Sequence, residues 1–445
     1  MHNLPIKWPT RKRSISGQQP SPPPSLSDDV LIEILKRLPL KSLVRFTCIC
    51  KSWFSILTSP SFMSILAAFN SEKSQKFQLF KRPIDIHSKI NHTMFFAYDS
   101  DNLTREFTRV FLFKRSHFVV SSAHGLLCLY NFYDKYQNTS PLILWNPSIK
   151  KHRVVDLPPI EVQNTAGGFP KLIFGFGFDS CSCSFKVVRV SYSTRYTGTC
   201  FLSAVYNITD GEWNCLGSTR VPYFITTIRW RGMCLNGVIH WICNLNVNLD
   251  TDPNDRVYRM IWTLALGNAE FGEIMLPKEL MNMPDGSLRV IMVPRNGKEL
   301  LGVIHIRNDI FSLWVMENYG VKSSWVKLFN VNFYDSIKND MNVLVISDHE
   351  VVVKTTRDGW LSYDHNLQQI KCLETKLSRS VDYVDTYEEN LFLVGQNSKR
   401  DRQGSQEYSG VKQDYFGVKQ DYLGVKQNHK KVWKDDKGKS LSIMK

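Results

Sequence analysis

The sequence predicts a small all-α module followed by an all-β propeller, with a polar segment at each end. Two changes along the chain support this prediction. Apolar residues recur at helical spacing between residues 26 and 70, and from about residue 75 they fall in short or alternating runs separated by turn signals. A pattern of paired strands then recurs at steps of roughly 50 residues, which is typical of propeller blades.

The helical region contains three segments with start or stop signals. Ser27 is placed to cap a first helix, which ends at Pro39. A second helical stretch follows from Leu40, and a third opens at Ser59 and Pro60, a cap and first-turn pair. We therefore expect three short helices, enough for a small α module.

The β region contains five copies of an apolar strand, a polar turn and a second strand. The markers of these copies are Trp145, Tyr206, Leu264, Trp314 and Tyr363, at steps of 61, 58, 50 and 49 residues. Another apolar strand accompanies each copy, and the string GVIH occurs at 237 and again at 302. This spacing favours a kelch-like propeller of about six or seven blades over a sandwich. The segment 389–394 is expected to complete a blade with an early strand such as 117–122.

Three dipeptides that tolerate positive φ predict hairpins inside this region. They are Asp210-Gly211, Asn236-Gly237 and Asp358-Gly359. Apolar or aromatic runs flank each of them, so each is expected to join two antiparallel strands.

The net charge of +15, from 56 basic and 41 acidic residues, is concentrated at the ends. Residues 1–25 carry four basic residues and no acid, and residues 398–445 carry 12 basic against 6 acidic residues, so the middle keeps 15 − 4 − 6 = +5. Basic ends on a nearly balanced body are typical of solvated extensions, so we expect no nucleic-acid partner. Both end segments are expected to be disordered, the first because it is polar and Pro-rich.

The apolar runs are too short for a membrane span, and the N-terminus does not resemble a signal peptide. We therefore expect no membrane association and a cytoplasmic or nuclear location. The ten cysteines are expected to be reduced thiols, because the sequence shows no secretory context. Structural zinc is not expected, because none of the cysteines has the paired spacing of a zinc ribbon.

One motif in the helical region is specific. KSLVRFTCICKSW at 41–53, preceded by LSDDVLIEILKRLPL at 26–40, closely resembles the F-box of plant F-box proteins. EIL, RLP, KSL, RF and CKSW occur together in the order that the family shows, which is hard to reach by chance. Ser27 departs from the family, which usually has Pro there, and this predicts somewhat weaker adaptor binding.

The β region resembles the F-box-associated domain of the same plant proteins. The matching blocks include LILWNPS at 142, WRGMCLNGVIHW at 230 and LWVMENYGVKSSWVKLF at 313. These resemblances imply an F-box over 26–70 and a propeller over 75–397. Residues 398–445, with a seven-residue repeat from 408, are left as the tail.

The resemblance implies a substrate-receptor subunit of an SCF-type cullin-RING ubiquitin ligase. In such a ligase the F-box binds a Skp-type adaptor and, through it, the cullin and RING subunit, and the propeller holds a target protein that the sequence does not identify. Such a subunit needs no catalytic residue, cofactor or metal. The candidate adaptor contacts, some of which are also expected to pack the helices together, are Leu26, Ile34, Leu38, Pro39, Leu40 and Leu43.

Two alternatives remain open. Parts of the chain, such as FQLFKRP at 77–83, are similar to the S-locus F-box proteins, which implies recognition of pollen-rejection ribonucleases. The other alternative is a kelch-propeller metal oxidoreductase, suggested by His240 and His305 in equivalent GVIH positions. Hydrolase and nucleotide-binding motifs (GxSxG, GxxxxGK) do not occur in the sequence.

Overall fold

The computed structural model contains a helical module and six β-sheets. It describes residues 27–71, 76–81, 93–99, 102–113, 117–131, 140–158, 171–195, 198–221, 223–229, 231–246, 257–281, 283, 287–307, 310–333, 343–345, 347–355, 359–372, 381–394, 433–434 and 440–444. Within these ranges, none of the helices has the length and apolar character that crossing a bilayer requires.

The helical module consists of four helices around one small core. They are α1 (Asp28–Leu35), α2 (Leu40–Phe46), α3 (Lys51–Leu57) and α4 (Pro60–Ser71). The prediction of three helices missed α3. The chain extends at Cys50 (φ −154°, ψ 167°), which separates α3 from α2. Leu35, Leu43 and Leu57 are fully buried where the helices meet.

Of the two predicted N-terminal helix caps, one is confirmed and the other is not. Ser59 caps α4 as expected, because its Oγ accepts the backbone N–H of Phe62 at 3.2 Å. The Ser27 side chain makes no cap hydrogen bond to α1, although its carbonyl accepts from the N–H of Leu31 at 3.0 Å. The acidic first turn of α1 still complements the helix dipole.

Most of the chain forms antiparallel β-strands. In chain order the strands, with a short helix α5 (Lys278–Met281) after β16, are β1 (Lys76–Lys81), β2 (Thr93–Asp99), β3 (Asn102–Phe113), β4 (Phe118–Ala123), β5 (Leu126–Tyr130), β6 (Leu142–Asn146), β7 (Lys151–Val155), β8 (Lys171–Asp179), β9 (Ser184–Arg195), β10 (Gly198–Asn207), β11 (Glu212–Val221), β12 (Phe224–Ile228), β13 (Met233–Leu235), β14 (Val238–Asn246), β15 (Val257–Ala265), β16 (Phe271–Met275), β17 (Leu288–Arg295), β18 (Lys298–Arg307), β19 (Ile310–Met316), β20 (Trp325–Asn332), β21 (Val343–Val345), β22 (Glu350–Lys354), β23 (Trp360–Asp364), β24 (Gln369–Cys372), β25 (Val381–Tyr387), β26 (Trp433–Lys434) and β27 (Ser440–Met444).

Five sheets are built from consecutive strands, and a sixth joins the two ends of the propeller. We call the consecutive sheets blades 1 to 5, which begin at β4, β8, β12, β17 and β21. The sixth, the closing sheet, has the order β25-β1-β2-β3. Adjacent sheets pack through shared apolar clusters, which confirms the predicted propeller.

The sequence repeats correspond to the blades. All five markers, Trp145, Tyr206, Leu264, Trp314 and Tyr363, lie on the third strand of their blade. All five are buried, none of them more than 9% exposed. The period near 50 residues therefore reports one bulky side chain at an equivalent place in each blade.

The closing sheet corrects one prediction. The segment 389–394 is not a strand, and the strand that closes the ring is β25. It pairs with β1 antiparallel, from Lys76 opposite Tyr387 to Lys81 opposite Val381. The partner of β25 therefore lies about 300 residues earlier in the chain.

The predicted hairpins are confirmed. Asn236 and Gly237 both have positive φ, 50° and 74°, and form the two-residue turn between β13 and β14. Gly211 lies between β10 and β11, and Gly359 lies between β22 and β23. Asn296 and Gly297 form a similar turn that the sequence analysis did not single out.

Close packing between blades 2 and 3 explains the GFG segment of β8. A Cβ on Gly175 would lie 2.7 Å from Ile239 Cγ2 and 2.9 Å from Trp241 Cζ2. Trp241 is fully buried, and its Nε1 donates to the carbonyl of Phe174 at 3.0 Å. Gly175 therefore gives the indole room next to the strand.

The C-terminal tail was predicted to be disordered, and part of it differs from this expectation. β27 lies parallel to β24, with Ile443 opposite Ile370, and β26 pairs with β27. The outer strand of a blade offers unpaired backbone groups, so an added strand can extend it. The leader and the heptapeptide repeats lie outside the described residues.

Candidate functional site

The surface of the helical module is unusually apolar. Its exposed large hydrophobic side chains are Val30, Ile34, Ile49, Phe54 and Ile65, which are 37–59% accessible. The described part of the propeller, several times longer, has only seven such side chains. Concentrated exposed apolar side chains mark protein–protein contact surfaces.

The predicted adaptor contacts divide between surface and core. Ile34 is 45% exposed and Pro39 is exposed, whereas Leu38 is half-buried. Leu40 and Leu43 are 9% and 0% exposed, so they pack the helices together. Leu26 lies outside the described residues.

A short segment after β25 joins the helical module to the propeller. We call residues 388–394 the C-terminal strap. Leu391 and Val394 are buried in the core of the helical module beside Leu35 and Phe62, and Ile149 of blade 1 packs against the same cluster. The core of the module is therefore completed by the propeller.

A buried asparagine holds the strap on blade 1. Asn146, the last residue of β6, is fully buried. Its Nδ2 donates to Asn390 Oδ1 at 2.6 Å and to the Phe392 carbonyl at 2.7 Å. Asn390 Nδ2 in turn donates to the His124 carbonyl at 2.8 Å. The asparagine of the LWNPS block thus fixes the strap, a role that the sequence did not reveal.

The first strands of the sheets surround a central cavity of about 420 Å³. At one end Arg289, near the start of β17, donates to the carbonyl of Val343, the first residue of β21, at 3.3 Å. At the other end Asn390, just after β25, reaches His124, just after β4. The inner strands therefore run in the same direction. We call the end where they begin the distal end, and the end where they finish the proximal end.

The helical module sits at the proximal end, because the strap continues from the end of β25. His124, Glu299 and Glu388 line this end of the cavity. His124 Nδ1 lies 3.7 Å from Glu388 Oε2.

Three arginines line the cavity. Arg289 lies near the start of β17, at the distal end. Arg229 and Arg231 lie between β12 and β13, part-way along the inner side of blade 3, because both strands pair with β14. The Arg231 guanidinium lies over the Tyr383 ring, 4.9 Å from its centroid. Burial and the neighbouring Asp385 carboxylate raise the pKa of Tyr383 well above its ordinary value, so its hydroxyl stays protonated and donates to Asp385.

The two histidines considered as metal ligands occupy equivalent second strands, β14 and β18, and both are buried. His240 Nδ1 contacts the Met233 carbonyl at 3.3 Å, so that nitrogen carries the proton, and Nε2 contacts the Tyr319 hydroxyl at 2.9 Å. Burial lowers the pKa of His240 to about 4. Among the residues that the structure describes, no three His, Cys, Asp or Glu side chains are grouped as a metal site would require.

Comparison with protein families identifies both parts of the chain. Residues 24–64 match the F-box domain, and residues 64–359 match the F-box associated beta propeller domain. The second match alone covers more than half of the chain. The chain belongs to the F-box proteins. The helical module is its F-box, and the six sheets are its F-box-associated propeller.

Plant F-box proteins are similar along most of the chain. An F-box/kelch-repeat protein of Arabidopsis thaliana is 25% identical over 364 residues, 77% of this chain and 88% of the relative. An Arabidopsis F-box protein is 27% identical over 341 residues, 70% of this chain and 73% of the relative. A solved α-L-arabinanase from Penicillium chrysogenum is similar at 12% identity with a TM-score of 0.39, over 67% of this chain and 86% of that one.

The sequence reasoning did not single out several exposed apolar residues of the helical module. Val30 lies one turn before Ile34 on α1, and Phe54 lies on the undetected α3. The helical spacing of Trp53, Ile56 and Leu57 was the available signal for that helix. Arg231 and Arg289 come from different blades and both lie near Tyr383, and this proximity has no local signal in the sequence.

Proposed function

We propose that this F-box protein is the substrate receptor of an SCF-type cullin-RING ubiquitin ligase. The F-box binds a Skp-type adaptor, which brings the cullin and RING subunit, and the propeller holds the target protein. The chain itself carries no catalytic step, because ubiquitin transfer belongs to the other subunits. The presence of an F-box implies the adaptor in general terms.

The arrangement of the two domains supports this proposal. The strap fixes the F-box at the proximal end through Leu391 and Val394. A receptor must hold adaptor and target at the same time. In this chain the strap joins the F-box to the proximal end, so the distal end of the propeller is the end away from that junction.

The adaptor interface is tested with Ile34→Lys. Ile34 is 45% exposed on α1, so the substitution leaves the core intact. Placing an ammonium group in an apolar contact costs a few kcal/mol, and we expect adaptor affinity to fall at least about tenfold. The measurement is binding of the purified Skp-type adaptor to the full chain by isothermal titration calorimetry.

The matched control is Leu367→Lys, which places the same charge on a propeller side chain that is 64% exposed. We expect this variant to bind the adaptor like the wild type. Equal affinity of Ile34→Lys and the control, at unchanged melting temperature, would remove Ile34 from the adaptor interface. Failure of the wild-type chain to bind any Skp-type adaptor would overturn the receptor function itself.

Recognition of pollen-rejection ribonucleases is one specific form of this function. It rests on the resemblance of a few blocks to S-locus F-box proteins and stays a prediction. Binding assays with ribonucleases from the style test it directly.

A further inference from the structure

We propose that the junction between blades 1 and 2 binds a carboxylate or phosphate group, held by the unpaired N–H groups of Arg189. This residue lies on β9, the second strand of blade 2. The proposal goes beyond the receptor function, because it adds a ligand site at a place in the propeller to which that function assigns no role. Carboxylates and phosphates both offer the two acceptor oxygens that a guanidinium group binds in parallel.

The Arg189 side chain points toward blade 1. Side chains alternate between the two faces of a strand. Val188 and Val190 pack in the cluster shared with blade 3, whereas Val187 packs in the cluster shared with blade 1. Arg189 therefore projects toward blade 1, where its Nη1 donates to the carbonyl of Pro158 at 2.6 Å.

The guanidinium group of Arg189 is buried with most of its hydrogen-bonding capacity unused. Arg189 is 5% exposed, and its Nε and Nη2 atoms have no hydrogen-bond partner among the described residues. These two atoms lie on one edge of the planar group, so together they present the fork that binds both oxygens of an anion. Buried donors that stay unpaired destabilise a protein, and such groups therefore indicate a role in binding.

No carboxylate in the described part of the chain balances the charge of Arg189. Burial lowers the pKa of Arg189, and the groups that act on its charge are the Tyr130 hydroxyl and the Cys215 thiol. Tyrosine and cysteine side chains are ordinarily neutral at pH 7. A guanidinium group stays protonated in proteins, so a positive charge remains buried without an acidic partner. An anionic ligand compensates that charge.

A row of short side chains connects Arg189 to the outer edge of blade 2. Arg189 lies opposite Ala204 on β10, and Ala204 lies opposite Cys215 on β11. Ala204 is 6% exposed, whereas Cys215 is exposed, so solvent reaches the row at its outer end. Eight of the ten residues of β11 are exposed, so this strand can move with little loss of core contacts. The anion therefore enters from the Cys215 end as the outer strand opens.

The first test places a carboxylate in the chain itself, with Cys215→Glu and Cys215→Gln as a matched pair. Both substitutions are at an exposed position, so they leave the core intact. Because the glutamate supplies the missing partner of Arg189, we expect Cys215→Glu to melt at a higher temperature than Cys215→Gln. In the Arg189→Met background the same pair should melt at equal temperatures. Scanning calorimetry of the full chain measures the four proteins.

The second test adds sodium acetate or sodium phosphate to the full chain, with sodium chloride at the same ionic strength as the reference. A ligand that binds the folded chain alone raises the melting temperature as its concentration rises. We expect acetate and phosphate to raise the melting temperature above that in chloride. Arg189→Met and Cys215→Glu should lose this increase. The control is Arg220→Met, which removes an exposed cation from the same blade and should keep it.

Two blocked tripeptides distinguish a free anion from an acidic side chain of a partner protein. One carries glutamate between two glycines, and the other carries glutamine at that position. A glutamate peptide that raises the melting temperature at lower concentration than acetate supports the site and assigns it to a protein segment. Acetate or phosphate acting at lower concentration than the peptide supports the site and assigns it to small anions. Equal effects of the two peptides and of chloride would overturn the proposal.

Arg189→Met also measures the effect of the buried charge on the unliganded protein. Removing a buried cation that has no partner should raise the melting temperature in chloride buffer, although the bond to Pro158 is lost. A lower melting temperature of this variant, together with anions that act equally on variant and wild type, would assign the guanidinium group a structural role and overturn the proposal. If Arg189→Met does not fold, the matched pair at Cys215 decides, and equal melting temperatures of that pair would overturn the proposal.

One further control concerns an acid of the chain itself. Glu161 follows Pro158 by three positions in the sequence and lies outside the described residues. We expect Glu161→Gln to leave the increase with acetate unchanged. A larger increase in this variant than in the wild type would make Glu161 the internal partner of Arg189 and overturn the proposal of an external ligand.

Discussion

His240 shows how one buried side chain makes stability depend on pH. In the folded protein burial lowers the pKa of His240 to about 4, whereas an unfolded histidine titrates near its ordinary value of 6.5. Between these values the unfolded chain binds a proton that the folded chain does not. The stabilising effect is therefore complete above about pH 6.5 and is lost as the pH falls toward 4.

We expect the free energy of unfolding to fall by about 2 kcal/mol from this residue alone between pH 7.5 and pH 5. His240→Gln removes the titrating group, so its unfolding free energy should change less over that interval. Urea denaturation of both proteins at the two pH values measures the difference. Parallel pH dependence in wild type and variant would contradict the assignment to His240, because His305, whose pKa is also lowered by burial, is unchanged in the variant.

At the level of elements, the sequence predicts the strands that recur in every blade. It misses the elements that occur only once in the chain. The second and third strands of every blade carry local signals, such as GVIH at 302 on β18 and Trp314 on β19. β25 has its partner far away in sequence, and no local period identifies it. The segment 389–394 is apolar enough to resemble a strand, but its side chains instead fill a gap between two domains.

The F-box surface could be predicted only in part for a related reason. The motif identified the right helices, but Leu40 and Leu43 share the helical spacing of contact residues and point into the core. In a module of four short helices, one apolar stripe supplies both the core residues and the exposed contact residues. Only the packing of the helices shows which residue belongs to which group.

The strap is tested by two truncations that differ by ten residues. Ending the chain after residue 397 removes β26 and β27, which only extend the outer edge of blade 5. We expect little change in melting temperature. Ending it after Tyr387 also removes Leu391 and Val394 and leaves an open cluster in the F-box, so we expect a loss of several degrees.

Scanning calorimetry of both truncations and of the full chain measures these effects. Equal melting temperatures for the two truncations would show that the strap adds nothing to stability. A large drop on the first truncation would show that the tail strands contribute to the body.

At the scale of the whole molecule, the strap and Ile149 of blade 1 join the core of the F-box, and this predicts that the stabilities of the two domains are coupled. We expect amides of α2 and α4 to exchange with deuterium in the wild type about as slowly as amides of blade 1. Val394→Asp places a carboxylate in the shared cluster, where Val394 is 8% exposed, so F-box amides should exchange faster while those of blade 4 do not change.

Hydrogen exchange followed by mass spectrometry resolves these segments, and Val326→Asp, on an exposed position of β20, is the control. F-box exchange that is the same in Val394→Asp and the wild type would mean that the two domains are stable independently.

The closing sheet and the strap also determine when the fold becomes complete during synthesis of the chain. The ribosome makes the F-box first, yet the F-box core needs Leu391 and Val394, and the ring needs β25 opposite β1. A nascent chain that stops short of these residues lacks part of the core of its helical module. Synthesis therefore has to pass through the last strand of the propeller before the ring can close, and through the strap before the helical core is complete.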